Sequence, residues 1–391
     1  MKLMIDVNKL PDDLKKCYED AKKEYSECGV FFLEKDYLIA SNDEMGVYPR
    51  VLDLVLEDAE RIKKDAEEAL YALFIVRAMK FRKSFKENLS LFTFSEKYLF
   101  FPFICLIPSM KDTYDFLKAR KLPDDVIKNT MGQYEACVFI YEERFDRKGL
   151  NKHYFDWLQH YVDCEILNIQ RLRFEIYTLS DPVYVLEHKI TKEKVLLFDG
   201  GKMNENGLLF SAPPESAEPF VATFSENADS YEGNVINAFG RCEKGTKTFK
   251  KSEYSLRLKP GDTLLSVHIP NTGEFNDFVC VESYKRAYDV FEKYFPELNV
   301  KGLHCHSWML SSELLDILKP ESNIIKFRGR YMCYPAETEG RDVFNFVFKL
   351  KFKTFEDMAE DTSLQRAIKK VYLSGNYIYE YGGLILKDTQ N

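Results

Sequence analysis

Residues 263–270 read TLLSVHIP, an apolar run closed by a histidine and a proline. The run is short, rich in branched side chains, and follows the Pro-Gly turn KPGD (259–262), so it reads as a strand. Upstream, EYSLRL (253–258) leads into that turn as the first arm of a hairpin. Downstream, ESYKRAYDVFEKYF (282–295) sets Tyr284, Ala287, Tyr288, Phe291 and Phe295 on one stripe, the spacing of a helix. VKGLHCHSWML (300–310) is strand-like again. A strand, a crossover helix and a next strand imply parallel neighbours with a right-handed connection. TLLSVHI and VKGLHCHSWML are therefore expected side by side, pointing the same way.

Working outward, SSELLDIL (311–318) reads as a short helix capped by Ser311 or Ser312. NIIKFRGRYMCY (323–334) and DVFNFVFKLKF (342–352) read as strands joined by the turn PAETEGR (335–341). A last helix, about 362–374, stops at Gly375 before a Tyr- and Gly-rich tail. Towards the N-terminus, RLRFEIYTL (171–179) alternates Leu172, Phe174 and Ile176 with Arg171, Arg173, Glu175 and Tyr177, a half-buried strand. Further strands are expected at 183–188 and 194–198. Residues 200–250, rich in Gly, Ser, Asn and Pro, read as a long irregular insertion with a short helix.

Residues 1 to about 160 have a helical pattern. Ile62, Ala66, Ala69, Leu70 and Leu73 fall on one face of a helix over 59–80. KLPDD occurs at 9–13 and 121–125, each time before a helical pattern. Proline followed by carboxylates suits a first helical turn, where the lost N–H costs nothing and the dipole is positive. YLFFPFICLIP (98–108) is too short to span a bilayer and reads as a buried element interrupted by Pro102.

The chain has 391 residues, too many for one ordinary core, and its 31 Phe and 24 Tyr can fill more than one. The net charge of -8, with no basic cluster, argues against a nucleic-acid partner. Nine cysteines without a CxxC pair read as reduced thiols in a cytoplasmic protein, and the N-terminus lacks signal-peptide character.

Half of the six histidines sit in the two adjacent strands. His268 closes its strand at the C-terminal end, where ligands of open α/β sheets gather. His304 and His306, two apart, share one face of the sheet, and Cys305 and Ser307 share the other. Three roles stay open for the imidazoles: a metal ligand set, a general base near neutral pH, or polar members of a partly buried sheet. No fourth Asp, Glu or Cys stands at a spacing that completes a metal site, so no metal is expected. Cys305 reads as a buried structural thiol and Trp308 as core.

LKPGDTLLSVHIP, GLHCHSWML and SNIIKF, together with DSYEGNVINAFG (229–240) and TSLQRAIKKVYLSGN (362–376), resemble the GNAT-like C-terminal domain of bacterial proteins called acyltransferases. KLPDDVIKNT (121–130) and NIQRLRFE (168–175) resemble its helical companion, the N-acyltransferase N-terminal domain. The resemblance covers about 110–390. It implies an α+β protein: a helical N-terminal domain over 1–160, then a GNAT-like mixed β-sheet domain with flanking helices over 165–391. TLLSVHI would be the fourth strand of that fold and VKGLHCHSWML the fifth, splayed around an acyl-CoA donor. The resemblance further implies acyl transfer to an amine or hydroxyl of a small-molecule acceptor. His268 or His306, with His304 as third candidate, would remove the acceptor proton. One departure stands out. GNAT enzymes hold the pyrophosphate with an Arg/Gln-x-x-Gly-x-Gly/Ala loop, whereas this chain reads PNTGEFNDFVCVES, with one glycine, Gly273, and the acids Glu274, Asp277 and Glu282. Gly273, Ser283, Lys285 and Arg286 are the candidate contacts to the donor there, the two cations being expected in the first helical turn. A binding module on the same scaffold and a histidine-ligated, metal-dependent hydrolase are the alternative functions.

Overall fold

The computed structural model describes residues 5–94, 96–209, 218–270 and 273–387. The chain divides into two compact units, 1–168 and 169–391.

The first unit is helical, with α1 (Asp12–Cys28), α2 (Lys35–Met45), α3 (Leu52–Lys63), α4 (Ala66–Ala78), α5 (Arg82–Glu87), α6 (Phe101–Ala119), α7 (Asp124–Phe145) and α8 (Lys152–Val162). Both KLPDD stretches start helices: Pro11 and Pro123 hold the cap positions, and paired aspartates fill the first turns of α1 and α7. The single helix expected over 59–80 is two. Asp65 accepts a hydrogen bond from the Glu68 amide and begins α4, so Ile62 and Leu73 belong to different helices. Pro102 does not interrupt its element; it lies in the first turn of α6, where proline is tolerated. The core is dense in aromatic edges, among them Tyr18 on Phe74 and Tyr48 on Phe103.

β1 (Ile166–Ile169) lies at the boundary of the units. The second unit continues with β2 (Leu172–Thr178), β3 (Val183–His188), β4 (Lys194–Phe198), β5 (Gly200–Met203), β6 (Phe220–Ala222), β7 (Phe224–Glu226), β8 (Ser230–Ile236), β9 (Cys242–Lys250), β10 (Tyr254–Leu258), β11 (Thr263–His268), α9 (Asp277–Tyr294), β12 (Gly302–Ser307), α10 (Leu314–Ile317), α11 (Asn323–Arg328), β13 (Met332–Pro335), α12 (Asp342–Phe346), α13 (Ser363–Leu373) and β14 (Tyr381–Leu386). One sheet carries the order β2-β11-β12-β14-β13 and a second the order β10-β3-β4-β8-β7, with β9 on β8. Buried side chains from both sheets, including Val185, Phe198, Leu264, Tyr334 and Leu384, form one core.

The expected parallel pair is present: β11 and β12 are parallel neighbours, each antiparallel to its other partner. Several expectations are corrected. The KPGD turn does not close a hairpin; it carries the chain from the second sheet, where β10 pairs with β3, into the first. Residues 200–250 hold strands β5–β9 and no helix among the described residues; residues 210–217 lie outside the description. β9 is almost wholly polar, so it lacks the apolar alternation that marks a strand. Residues 323–328 are a helix, because Ser322 caps them, and 342–346 are a helix as well. Ser311 and Ser312 do not cap α10; both hydroxyls bind the Glu313 carboxylate. The Tyr- and Gly-rich tail is the buried strand β14, between β12 and β13.

Candidate active site

The β11–β12 ladder has only two rungs, Leu265 with Leu303 and Ser266 with His304. Beyond them β11 stays paired with β2 as far as His268 opposite Arg173. β12 likewise stays paired with β14 as far as Ser307 opposite Tyr381. The two strands thus part at their C-terminal ends while each remains in the sheet. Strand alternation puts Ser266, His268, His304 and His306 on the same face as Glu175 and Tyr177 of β2.

His268 stands on one arm of the opening, half-exposed. Its Nε2 lies 2.7 Å from the Glu175 carboxylate, 93 residues earlier in the chain. A carboxylate accepts, so Nε2 carries the hydrogen and Nδ1 is the basic nitrogen. His306 stands on the other arm, exposed, opposite Gly382. Burial pushes the Asp342 carboxyl up, an effect that the nearby His306 offsets only in part. His304 lies below the fork and is 5% exposed. Its Nδ1 meets the Ser266 hydroxyl at 3.1 Å, its Nε2 faces Asp181 at 3.5 Å, and its ring stacks on Tyr177 at 4.5 Å. Tyr177 also donates to Asp181 at 2.9 Å. Burial outweighs the aspartate and pushes His304 down to about 4, so it is neutral near pH 7. Among the described residues, the three imidazoles do not close on a common metal position. Cys305 is buried on the opposite face, its thiol pushed up by desolvation. Trp308 is buried as well.

The loop from β11 to α9 departs from expectation. α9 starts at Asp277, capped by Asn276, rather than at 282. Lys285 and Arg286 therefore lie in its third turn, away from the positive end of the helix; their expected place in the first turn is corrected. Lys285 pairs with Glu282 at 3.2 Å. Ser283 is fully buried, its hydroxyl donating to the Val279 carbonyl and accepting from the Arg171 amide. Gly273 has φ +85° at the bend of the loop. Asn271 and Thr272, part of the quoted loop, lie outside the described residues.

Arg171 organises this bend. It donates to the carbonyls of Pro270 at 2.8 Å and Glu274 at 2.5 Å, and its remaining Nη1 is buried without a hydrogen-bond partner. The three acids of the loop are each matched: Asp277 by Arg330, Glu282 by Lys285, and Glu274 by the Asn276 amide. Glu175, Asp181, Asp342 and the strap role of Arg171 carry no local motif. Only the polar alternation of 171–177 signalled that two of these four residues, Arg171 and Glu175, lie on one polar face.

The GNAT-like C-terminal domain family matches residues 166–385. No curated protein matches the sequence. The chain resembles an acyltransferase solved with decanoyl-CoA at 14% identity and TM-score 0.58, over 98% of this chain and 99% of the other. It resembles an acyltransferase solved with decanoyl-CoA and teicoplanin at 15% identity and TM-score 0.54, over 89% and 99%. A mutant acyltransferase in complex with octanoyl-CoA gives 15% identity and TM-score 0.55, over 89% and 99%. At these identities the likeness concerns the fold.

Proposed function

Since this chain belongs to the GNAT-like C-terminal domain family, we propose that it transfers an acyl group from an acyl-CoA thioester to an amine or hydroxyl acceptor. The observation that carries the reading is the two-rung ladder with the Glu175–His268 pair at its mouth. Strands that part beyond Ser266 and His304 no longer spend their facing backbone amides on each other. Those amides are where a developing oxyanion would be held. The acceptor attacks the thioester carbonyl, its proton passes to His268 Nδ1, and Glu175 holds the ring in the tautomer that makes this possible.

The donor class follows by analogy with the structural relatives, which carry octanoyl- and decanoyl-CoA. The teicoplanin bound to one of them makes that compound the first acceptor to test. On the donor side, the Gly273 bend and the Arg171 strap lie where the pyrophosphate is expected. Arg286 is a more distant candidate on α9. The buried hydroxyl of Ser283 and the paired ammonium of Lys285 suit that role less.

Thermal unfolding with CoA and a panel of acyl-CoA esters tests the reading. A ligand at a hundred times its dissociation constant adds roughly 2.7 kcal/mol. A midpoint shift that depends on chain length is expected. No shift with any ester removes the transferase reading and favours a binding module on this scaffold. With a donor in hand, His268→Ala is expected to slow transfer by about 10²–10⁴-fold while the fold persists.

A further inference from the structure

We propose that Arg173 binds a carboxylate of the acceptor, beside the base His268. The inference rests on the acyl-transfer reading and names a feature of its acceptor. Arg173 and His268 stand directly opposite each other in the β2–β11 ladder. Side chains so placed share a face of the sheet, with their Cβ atoms about 4.5–5.5 Å apart. Arg173 is half-buried, and its Nε is buried without a hydrogen-bond partner. Among the described residues no carboxylate pairs with its guanidinium. A buried N–H without an acceptor destabilises the fold, and a bound carboxylate would satisfy it.

The neighbouring acids are held elsewhere. Glu175, two residues along the same face, meets His268 at 2.7 Å. Glu274 is held by the Asn276 amide and Asp277 by Arg330. A second cation stands near Arg173 instead. Burial first, and the charge of Arg173 besides, disfavours the charged form of Arg171, whose Nη1 is likewise buried without a partner. Two neighbouring guanidiniums with no counter-ion of their own attract an anion from outside. Position favours the acceptor as its source. Arg173 lies on the β2 side of β11, outside the opening between β11 and β12. A donor wedged in that opening carries its phosphates a whole pantetheine arm away from the thioester. An anion within reach of both Arg173 and the base therefore belongs to the molecule that gives up the proton. Held by the guanidinium, such a carboxylate would set the amine or hydroxyl of the same acceptor against His268.

Acceptor preference tests the assignment. Octanoyl transfer is measured to a set of L-amino acids and dipeptides, each against its C-terminal amide, and to hydroxylamine, which carries no carboxylate. The donors are octanoyl-CoA and S-octanoyl-pantetheine, which lacks the nucleotide and its phosphates. Arg173→Gln is expected to lower kcat/KM for the acids about 10–100-fold more than for their amides, with either donor. Arg173→Lys, which keeps the charge but not the bidentate geometry, should recover part of the difference. Unchanged thermal midpoints show that both variants are folded. An equal loss on acids and amides, or none on either, overturns the carboxylate assignment, while transfer to hydroxylamine leaves the acyl-transfer reading standing. A loss that appears with octanoyl-CoA and vanishes with S-octanoyl-pantetheine, whatever the acceptor, gives the guanidinium to a donor phosphate and overturns it too. A wild-type protein that transfers to no acceptor, hydroxylamine included, overturns the acyl-transfer reading, and the carboxylate site goes with it.

Discussion

His304 is the residue where burial and charge compete most directly. Asp181 favours its protonated form, but desolvation wins and holds it near 4, against 6.5 for a free imidazole. The unfolded chain therefore takes up this proton at higher pH than the folded one. Stability that is complete above pH 6.5 drains away as pH falls towards 4, by on the order of 3 kcal/mol. The slope of urea midpoint against pH between those values is expected to be shallower in His304→Gln than in wild type. An identical slope would mean that other groups carry the acid sensitivity. Glu175 belongs to the same scale. Glu175→Gln removes the charge that orients His268, so turnover is expected to fall at least about tenfold with KM nearly unchanged. Glu175→Asp should recover part of the loss. At this scale the sequence shows the histidines, because they are rare and clustered. It does not show their carboxylates, because Glu175 meets His268 across 93 residues of chain.

Among the elements, β14 shows most plainly why sequence reading stops short. Its sequence reads as a tail because Gly382 and Gly383 weaken any strand pattern. Both glycines are structural: a Cβ at 382 would lie 2.1 Å from Tyr334 Cζ, and one at 383 would lie 2.7 Å from Leu310 Cδ1. Glycine is needed at both positions because two bulky neighbours cross directly over the backbone of this inner strand. Gly382→Ala is expected to cost about 1–3 kcal/mol in urea unfolding, since the ring it displaces is fully buried. Gly132, in the middle of α7, is the contrast: a Cβ there would have nothing within 4 Å. Gly132→Ala should stabilise by about 0.5–1 kcal/mol. If both substitutions destabilise alike, the crowding at β14 is not the cause. The parallel β11–β12 pair is legible because a strand, a helix with one apolar stripe and a second strand allow few arrangements. The start of α9 is not, because its first turn, Asp277 to Cys280, carries mixed residues and no stripe.

Across the molecule, the thiols report how the chain is packed. All nine cysteines are thiols outside any disulfide; Cys28, the last residue of α1, is exposed, and Cys164 is partly so. Burial pushes Cys164 and Cys280 up to about 11 and Cys242 up to about 12, so these groups are poor nucleophiles at neutral pH. Titration of the native protein with a disulfide reagent at pH 8 is expected to show one fast thiol, abolished by Cys28→Ser, and all nine after denaturation. Several fast thiols would contradict the burial of the others. Among the described residues, no helix is long and apolar enough to cross a membrane.

The two-rung ladder also makes the joint between β11 and β12 a rivet rather than a seam. Each arm has its own splint, β2 along one and β14 along the other. A guest of the proposed site would press on a two-rung joint and not on either splint. Substitutions at the mouth of the fork are therefore expected to leave the pairing of β11 with β2 and of β12 with β14 in place.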